Sequence, residues 1–112
     1  MGTDIWAAEI VLERKKINKG LHLVCALPHP DFEKRRNVTE KLRFKEILKN
    51  ADLVVNINKN YYDGCYQVRN KWMVDHSSLV IAVFNGQKSG TKNTIDYAIQ
   101  KVVLVKNILD TI

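Results

Sequence analysis

Short apolar runs separated by helix-like segments are the feature that most limits what this chain can fold into. The runs Leu21–Leu27, Leu53–Ile57 and Leu79–Phe84 are nearly continuous in apolar residues, a pattern typical of parallel strands buried on both faces. A last short strand is predicted near Val102–Val105. Strands alternating with helices form right-handed βαβ crossovers, so the sequence predicts an α/β fold with a doubly wound, mainly parallel sheet of about four strands.

Four amphipathic segments supply the helices between these strands. The spacing predicts a first helix from about Asp4 to Ile17, a second that begins after a Thr39 cap, a third over Cys65–Asp75 and a fourth over Thr91–Lys101. The chain opens on a helix, with no strand before it to complete a first βαβ unit. We therefore expect a single domain over residues 1–112 that lacks an initial strand and is shortened at its N-terminus.

Composition narrows the classes of function. No apolar run approaches the roughly 20 residues of a membrane span, and Cys25 and Cys65 lack the C-x-x-C spacing of a metal or redox motif, so we expect a cytoplasmic protein with no membrane partner. The net charge of +6 favours an anionic ligand. The basic residues are scattered, as on a solvated surface, and no nucleic-acid motif accompanies them. The histidines lack ligand spacing, so neither a metal nor a cofactor is expected.

A glycine-containing loop after the third apolar run is the first candidate site. The chain leaves the strand at Phe84, passes Gly86 and Gly90, and enters a helix at Thr91. A helix N-terminus offers unpaired backbone N–H groups and the positive end of the helix dipole, which together suit an anion such as phosphate. The alternative is an ordinary turn in which the glycines only relieve backbone strain. Gly2-Thr3-Asp4 presents the same choice at the first helix.

The third helix and the loop before it carry further candidates. Arg69 suits bidentate contact with phosphate, and Asn70 suits a ribose or a base edge. Tyr61 and Tyr62 could stack on a base, although loop tyrosines also commonly pack against their surroundings. For Arg69 and Asn70, the alternative is that they are incidental polar residues on a surface helix.

Four ordered motifs resemble the YpsA-like family of the SLOG superfamily, which also includes the LOG-type phosphoribohydrolases and the DprA proteins. They are Gly2-Thr3-Asp4-Ile5-Trp6-Ala7-Ala8-Glu9, then Ala26-Leu27-Pro28, then Gln67-Val68-Arg69-Asn70-Lys71-Trp72-Met73-Val74-Asp75, then Ala82-Val83-Phe84-Asn85-Gly86 with Ser89-Gly90-Thr91-Lys92-Asn93. The resemblance implies a Rossmann-like fold and a site for a nucleotide or nucleotide-derived ligand at the carboxyl ends of the strands. It covers about residues 2–105.

The resemblance also implies which residues line that site. It implies that Gly2, Asp4 and Glu9 line one side of the pocket and that a phosphate loop lines the other side. Part of the third helix would lie between them. The residues of the loop and the helix are Asn85, Gly86, Ser89, Gly90 and Thr91, with Arg69 and Asn70. Because the family's first strand is missing, we expect weak binding of ligands such as ADP-ribose. An unpartnered sheet position also predicts a homo-oligomer.

The function implied is that of a nucleotide-ligand binding module with a sensor or regulatory role. The alternative is a LOG-like nucleoside-monophosphate phosphoribohydrolase, in which Glu9 would stabilise an oxocarbenium-like state. The LOG enzymes carry a glutamate a few residues after the Gly-Thr of the phosphate loop. This chain has no glutamate there unless Asp96 substitutes for it, which favours binding over hydrolysis.

Overall fold

The computed structural model describes residues 2–30, 36–84, 86 and 90–108, with side chains from Asp4 onward. Within them the chain alternates helix and strand throughout. The elements are α1 (Gly2–Lys15), β1 (Val24–Leu27), α2 (Val38–Asn50), β2 (Leu53–Asn56), α3 (Cys65–Asp75), β3 (Leu79–Ala82), α4 (Gly90–Gln100) and β4 (Leu104–Asn107). The predicted α/β class is confirmed.

The strands pair in parallel, as two sheets of two strands. β1 pairs with β2 in a register that sets Val24 opposite Leu53, and β3 pairs with β4 with Leu79 opposite Leu104. The structure divides into two compact units, Met1–Tyr61 and Tyr62–Ile112, each holding one sheet. These short parallel strands and four helices agree with a Rossmann-like fold. In each sheet the carboxyl ends of both strands lie at one edge.

In the first unit, the core is built between α1, α2 and the segment that enters β1. Ile5, Leu23 and Ile47 are buried together, and the partly buried Ala8, Val11, Leu12, Cys25 and Ala51 pack against them. Asp52 links α1 to the segment that enters β1, because its carboxylate accepts hydrogen bonds from Lys15 Nζ and from the backbone N–H of Leu23. Both bonds hold the pKa of Asp52 below its usual value, the lysine contributing most.

In the second unit, α3 and α4 pack against each other and α4 packs on the sheet. The buried side chains here are Cys65, Val74, Ala82 and Ala98. The Tyr97 hydroxyl donates a hydrogen bond to Asp75 across the two helices. That bond raises the pKa of Tyr97 because it favours the protonated phenol.

Three predicted boundaries extend too far, since α1 ends at Lys15 rather than Ile17, β1 begins at Val24 rather than Leu21, and β3 ends at Ala82 rather than Phe84. Two others are wrong for local reasons. α2 is capped by Asn37, whose side chain accepts a hydrogen bond from the Glu40 backbone N–H, and Thr39 lies inside the helix. β4 begins at Leu104 rather than Val102, because Val102 has a positive φ of 60° and lies in the turn that follows the end of α4 at Gln100. The bonds from Val103 N to Ala98 O and from Val102 N to Ile99 O complete a Schellman motif, in which glycine usually takes the place of Val102.

The expectation of burial on both faces, made for the apolar run Leu21–Leu27, is also wrong for the described residues, and the other strands are likewise exposed in part. Val24, Leu53, Ile81 and Leu104 are exposed, since a sheet of two strands is too narrow for its flanking helices to enclose both faces. Such exposed apolar strand residues suit self-association, which stays a prediction. No helix among the described residues has the length and apolar character needed to cross a bilayer.

Candidate functional site

The strongest candidate site in the second unit is the start of α4, which follows the carboxyl end of β3. Gly90 is the first residue of the helix, Thr91 is exposed in its first turn, and that turn carries no acidic side chain. Lys92 lies in the same turn and pairs with Asp96. The first backbone N–H groups of a helix have no partner within it, so this end can bind an anion without carboxylate competition.

The two glycines of this region differ in why they are needed. Gly86 has φ of 92°, a conformation that side-chain-bearing residues rarely adopt, whereas a Cβ added there would have open space. At Gly90 an added Cβ would lie 3.5 Å from Gln67 Nε2, which is ordinary van der Waals contact. Gly86 therefore serves backbone geometry, whereas a side chain at Gly90 would meet only ordinary contact with Gln67.

Asn107, at the end of β4, holds the chain where it leaves β3. Its Nδ2 donates to the Phe84 carbonyl at 2.8 Å, and its Oδ1 accepts from the Phe84 backbone N–H at 3.0 Å. The side chain thus satisfies both backbone polar groups of a residue that lies beyond the strand, where no ladder partner remains. Asn107 in β4 therefore fixes the position at which the chain leaves β3.

Helix α3 places one polar side chain, that of Gln67, near the start of α4. The Gln67 amide lies beside Gly90. Arg69 Nε donates to Asn70 Oδ1 at 2.8 Å, and the Arg69 guanidinium carbon lies 5.8 Å from the centre of the Tyr66 ring. The predicted pair Arg69 and Asn70 is therefore brought together by a direct hydrogen bond.

In the first unit, Glu9 makes a bidentate ion pair with Arg43 across α1 and α2. Arg43 Nε donates to Glu9 Oε2 at 3.1 Å and Nη2 donates to Oε1. These hydrogen bonds lower the pKa of Glu9 and raise that of Arg43. Both residues line an open groove of 830 Å³ between the two helices, whose apolar lining is Leu12, Leu42 and Ile47. Glu9 is thus engaged in holding the helix pair.

The carboxyl ends of β1 and β2 lie at one edge of the sheet in the first unit, and the residues that follow them are hydrogen-bonded to each other. The Ile57 backbone N–H donates to the Leu27 carbonyl at 2.9 Å, and Asn58 Nδ2 donates to the Pro28 carbonyl at 2.8 Å. His29 follows, buried, and the Tyr61 ring meets its ring edge-on with centroids 5.6 Å apart. Asn58 thus holds the loop after β1, as Asn107 holds the chain where it leaves β3.

The remaining predicted site residues are placed as follows. Gly2 opens α1 and Asp4 is exposed in its first turn, as a helix-terminal site would require. Asn85 and Ser89 lie outside the described residues. Among the described residues, no three His, Cys, Asp or Glu side chains come close enough to hold a metal ion. The site residues taken from the resemblance stay predictions.

Sequence reasoning missed Arg43, Asn58 and Asn107. All three act through partners 23 to 34 residues away, which no local pattern reveals. The signal that could have indicated the held loops is an asparagine at the end of β4 and another shortly after β2. Gln67 is different, because its amide, like that of Asn70, suits a ribose or a base edge, and the structure places it beside Gly90.

Comparison with known proteins places these features in a family. The YpsA family model (YspA SLOG family) matches residues 1–108. An uncharacterized SPbeta prophage-derived protein YoqJ of Bacillus subtilis is 30% identical over 110 residues, which cover 88% of this chain and 64% of the relative. The UPF0398 protein BH1768 of Halalkalibacterium halodurans is 28% identical over 93 residues, covering 81% and 49%.

A UPF0398 protein of Lactiplantibacillus plantarum is 28% identical over 113 residues, which cover 99% of this chain and 57% of the relative. The chain therefore spans between about half and two thirds of the length of these relatives. The matched region includes α1, the loops that Asn58 and Asn107 hold, and the start of α4. The resemblance to the family that the four motifs indicated is confirmed. The chain belongs to the YpsA SLOG family.

Proposed function

We propose that this chain binds a nucleotide or nucleotide-derived ligand of the ADP-ribose type and acts as a cytoplasmic sensor or regulator. Membership of the SLOG family suggests either nucleotide-related binding or a LOG-like role. The observation that carries the proposal is the start of α4, a helix N-terminus at the carboxyl end of β3 with no acidic side chain in its first turn.

A phosphate fits this position for electrostatic and geometric reasons. The first backbone N–H groups of α4 lack partners within the helix, and the positive end of the helix dipole lies there. Thr91 adds an exposed hydroxyl that can donate to a phosphate oxygen. Gly90 carries no side chain to block close approach, and the net charge of +6 attracts an anionic ligand to the surface.

Binding is favoured over hydrolysis by the state of Glu9. The phosphoribohydrolase alternative needs a carboxylate beside the reacting sugar, and Glu9 is the residue that the family motif offers. Both its oxygens accept hydrogen bonds from Arg43. Using Glu9 on a substrate would mean breaking or sharing that ion pair. A cytoplasmic location is supported by the free thiols of Cys25 and Cys65, which suit a reducing compartment.

Calorimetric titration tests the proposal. ADP-ribose and AMP should both release or absorb heat on saturable binding, and adenosine, which lacks phosphate, should bind at least about tenfold more weakly, as expected when a charge-assisted contact is lost. Equal affinity for AMP and adenosine, or no binding of either phosphate compound, contradicts the proposal.

The same mixtures separate a sensor from a hydrolase. After overnight incubation with AMP, chromatography should recover AMP unchanged and no free adenine. Release of adenine that disappears in a Glu9→Gln variant would establish the phosphoribohydrolase alternative instead.

A further inference from the structure

A groove of 830 Å³ runs between α1 and α2, and its lining residues all belong to the first unit. Two of them are part of the core, because Ile47 is buried and Leu12 packs against the buried cluster. A third, Leu42, is 63% exposed. The groove therefore has an apolar surface that reaches from the core to solvent, and an apolar surface of this kind on a folded protein marks a place where another molecule binds.

The two helices that form the groove run side by side in the same direction. Glu9 pairs with Arg43, and farther along both helices Lys15 pairs with Asp52, just beyond the end of α2. Along α2 the lining covers residues 42–50, which is about 12 Å of helix, or about two turns. An open groove leaves one side of its occupant in solvent. This suits an amphipathic helix better than a small molecule, which proteins usually enclose.

The acidic side chains of the groove have partners within the chain. The pairs are Glu9 with Arg43, Glu13 with Lys16 and Glu46 with Asn50. Lys19, which lies in the turn beyond α1, also lines the groove, and no acidic side chain in the part of the chain that the structure describes pairs with it. The charge of Lys19 is therefore available to an acidic group of a partner.

The end of the groove where both helices stop is basic. Lys16 and Glu13 are 75% and 70% exposed, and an ion pair so exposed contributes little, so Lys16 can change partner at small cost. The last turn of α1 adds Arg14 and Lys15, and that of α2 adds Lys49. An acidic group is attracted to this end of the groove.

We propose that the groove binds an amphipathic helix of a partner protein, with acidic residues in the first turn of that helix. Its apolar face lies on Leu12, Leu42 and Ile47, and its first turn lies beside Lys16 and Lys19. In this direction it runs antiparallel to α1 and α2, so its positive dipole end meets the negative ends of both helices. Acidic residues also stabilise the first turn of any helix, so the groove and the partner helix favour the same residues there.

Fluorescence anisotropy with a labelled peptide of about 16 residues tests the groove. The peptide has glutamates in its first turn and leucines at every third or fourth position, and a scrambled peptide of the same composition is its control. We expect the first peptide to bind saturably, with a Kd below roughly 100 µM, and the scrambled peptide to bind at least about tenfold more weakly.

Variants with matched controls locate the binding. Leu42→Asp should weaken binding by at least about tenfold, because it puts a charge on the apolar surface. Val38→Asp makes the same kind of change at an exposed residue of α2 outside the groove and should stay within about twofold. Lys19→Glu should weaken binding by about fivefold. Lys45→Glu, at an exposed lysine of α2 outside the groove, should change it less than about twofold.

Three results overturn the proposal. The first is a wild type that does not bind the acidic peptide, or binds the scrambled peptide equally well. The second is an equal loss in Leu42→Asp and Val38→Asp, or in Lys19→Glu and Lys45→Glu, with folding verified by circular dichroism. The third comes from sedimentation equilibrium of the chain alone: a dimer that Leu42→Asp dissociates assigns the groove to a second copy. A wild type that sediments as before, with the four variants ranked as expected, supports the partner helix.

Discussion

The side-chain amide of Asn107 pairs with both backbone polar groups of Phe84, from β4 to the residue that leaves β3. This relationship joins the end of the second sheet to the loop that leads to the start of α4. Asn58 makes a related contact to Pro28 in the first unit. Both sheets thus use an asparagine at or shortly after the end of one strand to hold the residue that follows the other strand.

Replacement of Asn107 by alanine should destabilise the second unit. The change leaves the N–H and C=O of Phe84 without these partners in a half-buried position, so we expect a loss of about 1–3 kcal/mol in the free energy of unfolding. Urea denaturation followed by circular dichroism measures it. Asn50→Ala is the control, because Asn50 is exposed and its side chain bonds to Glu46 within the same helix. Equal unfolding midpoints for both variants would refute a special role for Asn107.

The glycines Gly86 and Gly90 should respond differently to alanine. Gly86→Ala forces an alanine into φ of 92° and should cost about 1–2 kcal/mol of stability through backbone strain alone. Gly90→Ala lies in helical conformation and should leave stability within about 0.5 kcal/mol of wild type. Its new methyl group should instead weaken ADP-ribose binding, because it would stand where the proposed site has the phosphate approach. Thermal unfolding and titration of the two variants provide the comparison, and a stable Gly86→Ala would contradict the strain argument.

Val102→Gly should stabilise the protein. Val102 has φ of 60° and is 90% exposed, so its side chain contributes little packing while its Cβ disfavours the left-handed conformation. We expect a gain of about 1 kcal/mol, after the greater freedom of glycine in the unfolded chain is subtracted. Val102→Ala keeps the Cβ and serves as the control, with little change expected. A glycine variant that unfolds at a lower temperature than wild type would show that the valine side chain has a role of its own.

Stability should fall on acidification in part because of Glu9. Its pKa lies below the usual 4.5 in the folded protein because Arg43 bonds to the carboxylate. A carboxyl group whose pKa is lowered by folding stabilises the protein above its usual pKa, and that contribution disappears as pH falls through the lowered value. Asp52, also lowered from its usual 3.8 by Lys15, acts in the same direction.

Urea midpoints between about pH 6 and about pH 3 measure this dependence. Glu9→Gln should have a lower midpoint than wild type at the upper end and a smaller decrease toward the acid end. Glu13→Gln, which removes a more exposed pair with Lys16 on the same helix, is the control and should follow the wild-type profile. Parallel profiles for wild type and Glu9→Gln would show that the ion pair contributes nothing to the pH dependence.

The sequence predicted the elements well where local signals decide them. α3 has the predicted bounds Cys65–Asp75, and a glycine with positive φ, Gly64, directly precedes it. The start of β4 was predicted wrongly, because nothing in the sequence indicates that a valine, Val102, adopts a positive φ after α4. The surroundings of Glu9 could not be predicted, because Arg43 lies 34 residues away and reaches it only through the packing of α1 on α2. The fastening of the loops by Asn58 and Asn107 is a tertiary feature of the same kind.

The central claim, phosphate binding at the start of α4, is tested most directly by titrating ADP-ribose into Thr91→Asp and Thr91→Asn. Aspartate in the first turn of a helix suits the helix dipole, so folding should be preserved, but its charge repels a phosphate at the same position. Asparagine has the same shape without the charge. We predict that Thr91→Asp loses at least about tenfold in affinity while Thr91→Asn stays within about threefold of wild type. Wild-type affinity in both variants would contradict a phosphate site at this helix.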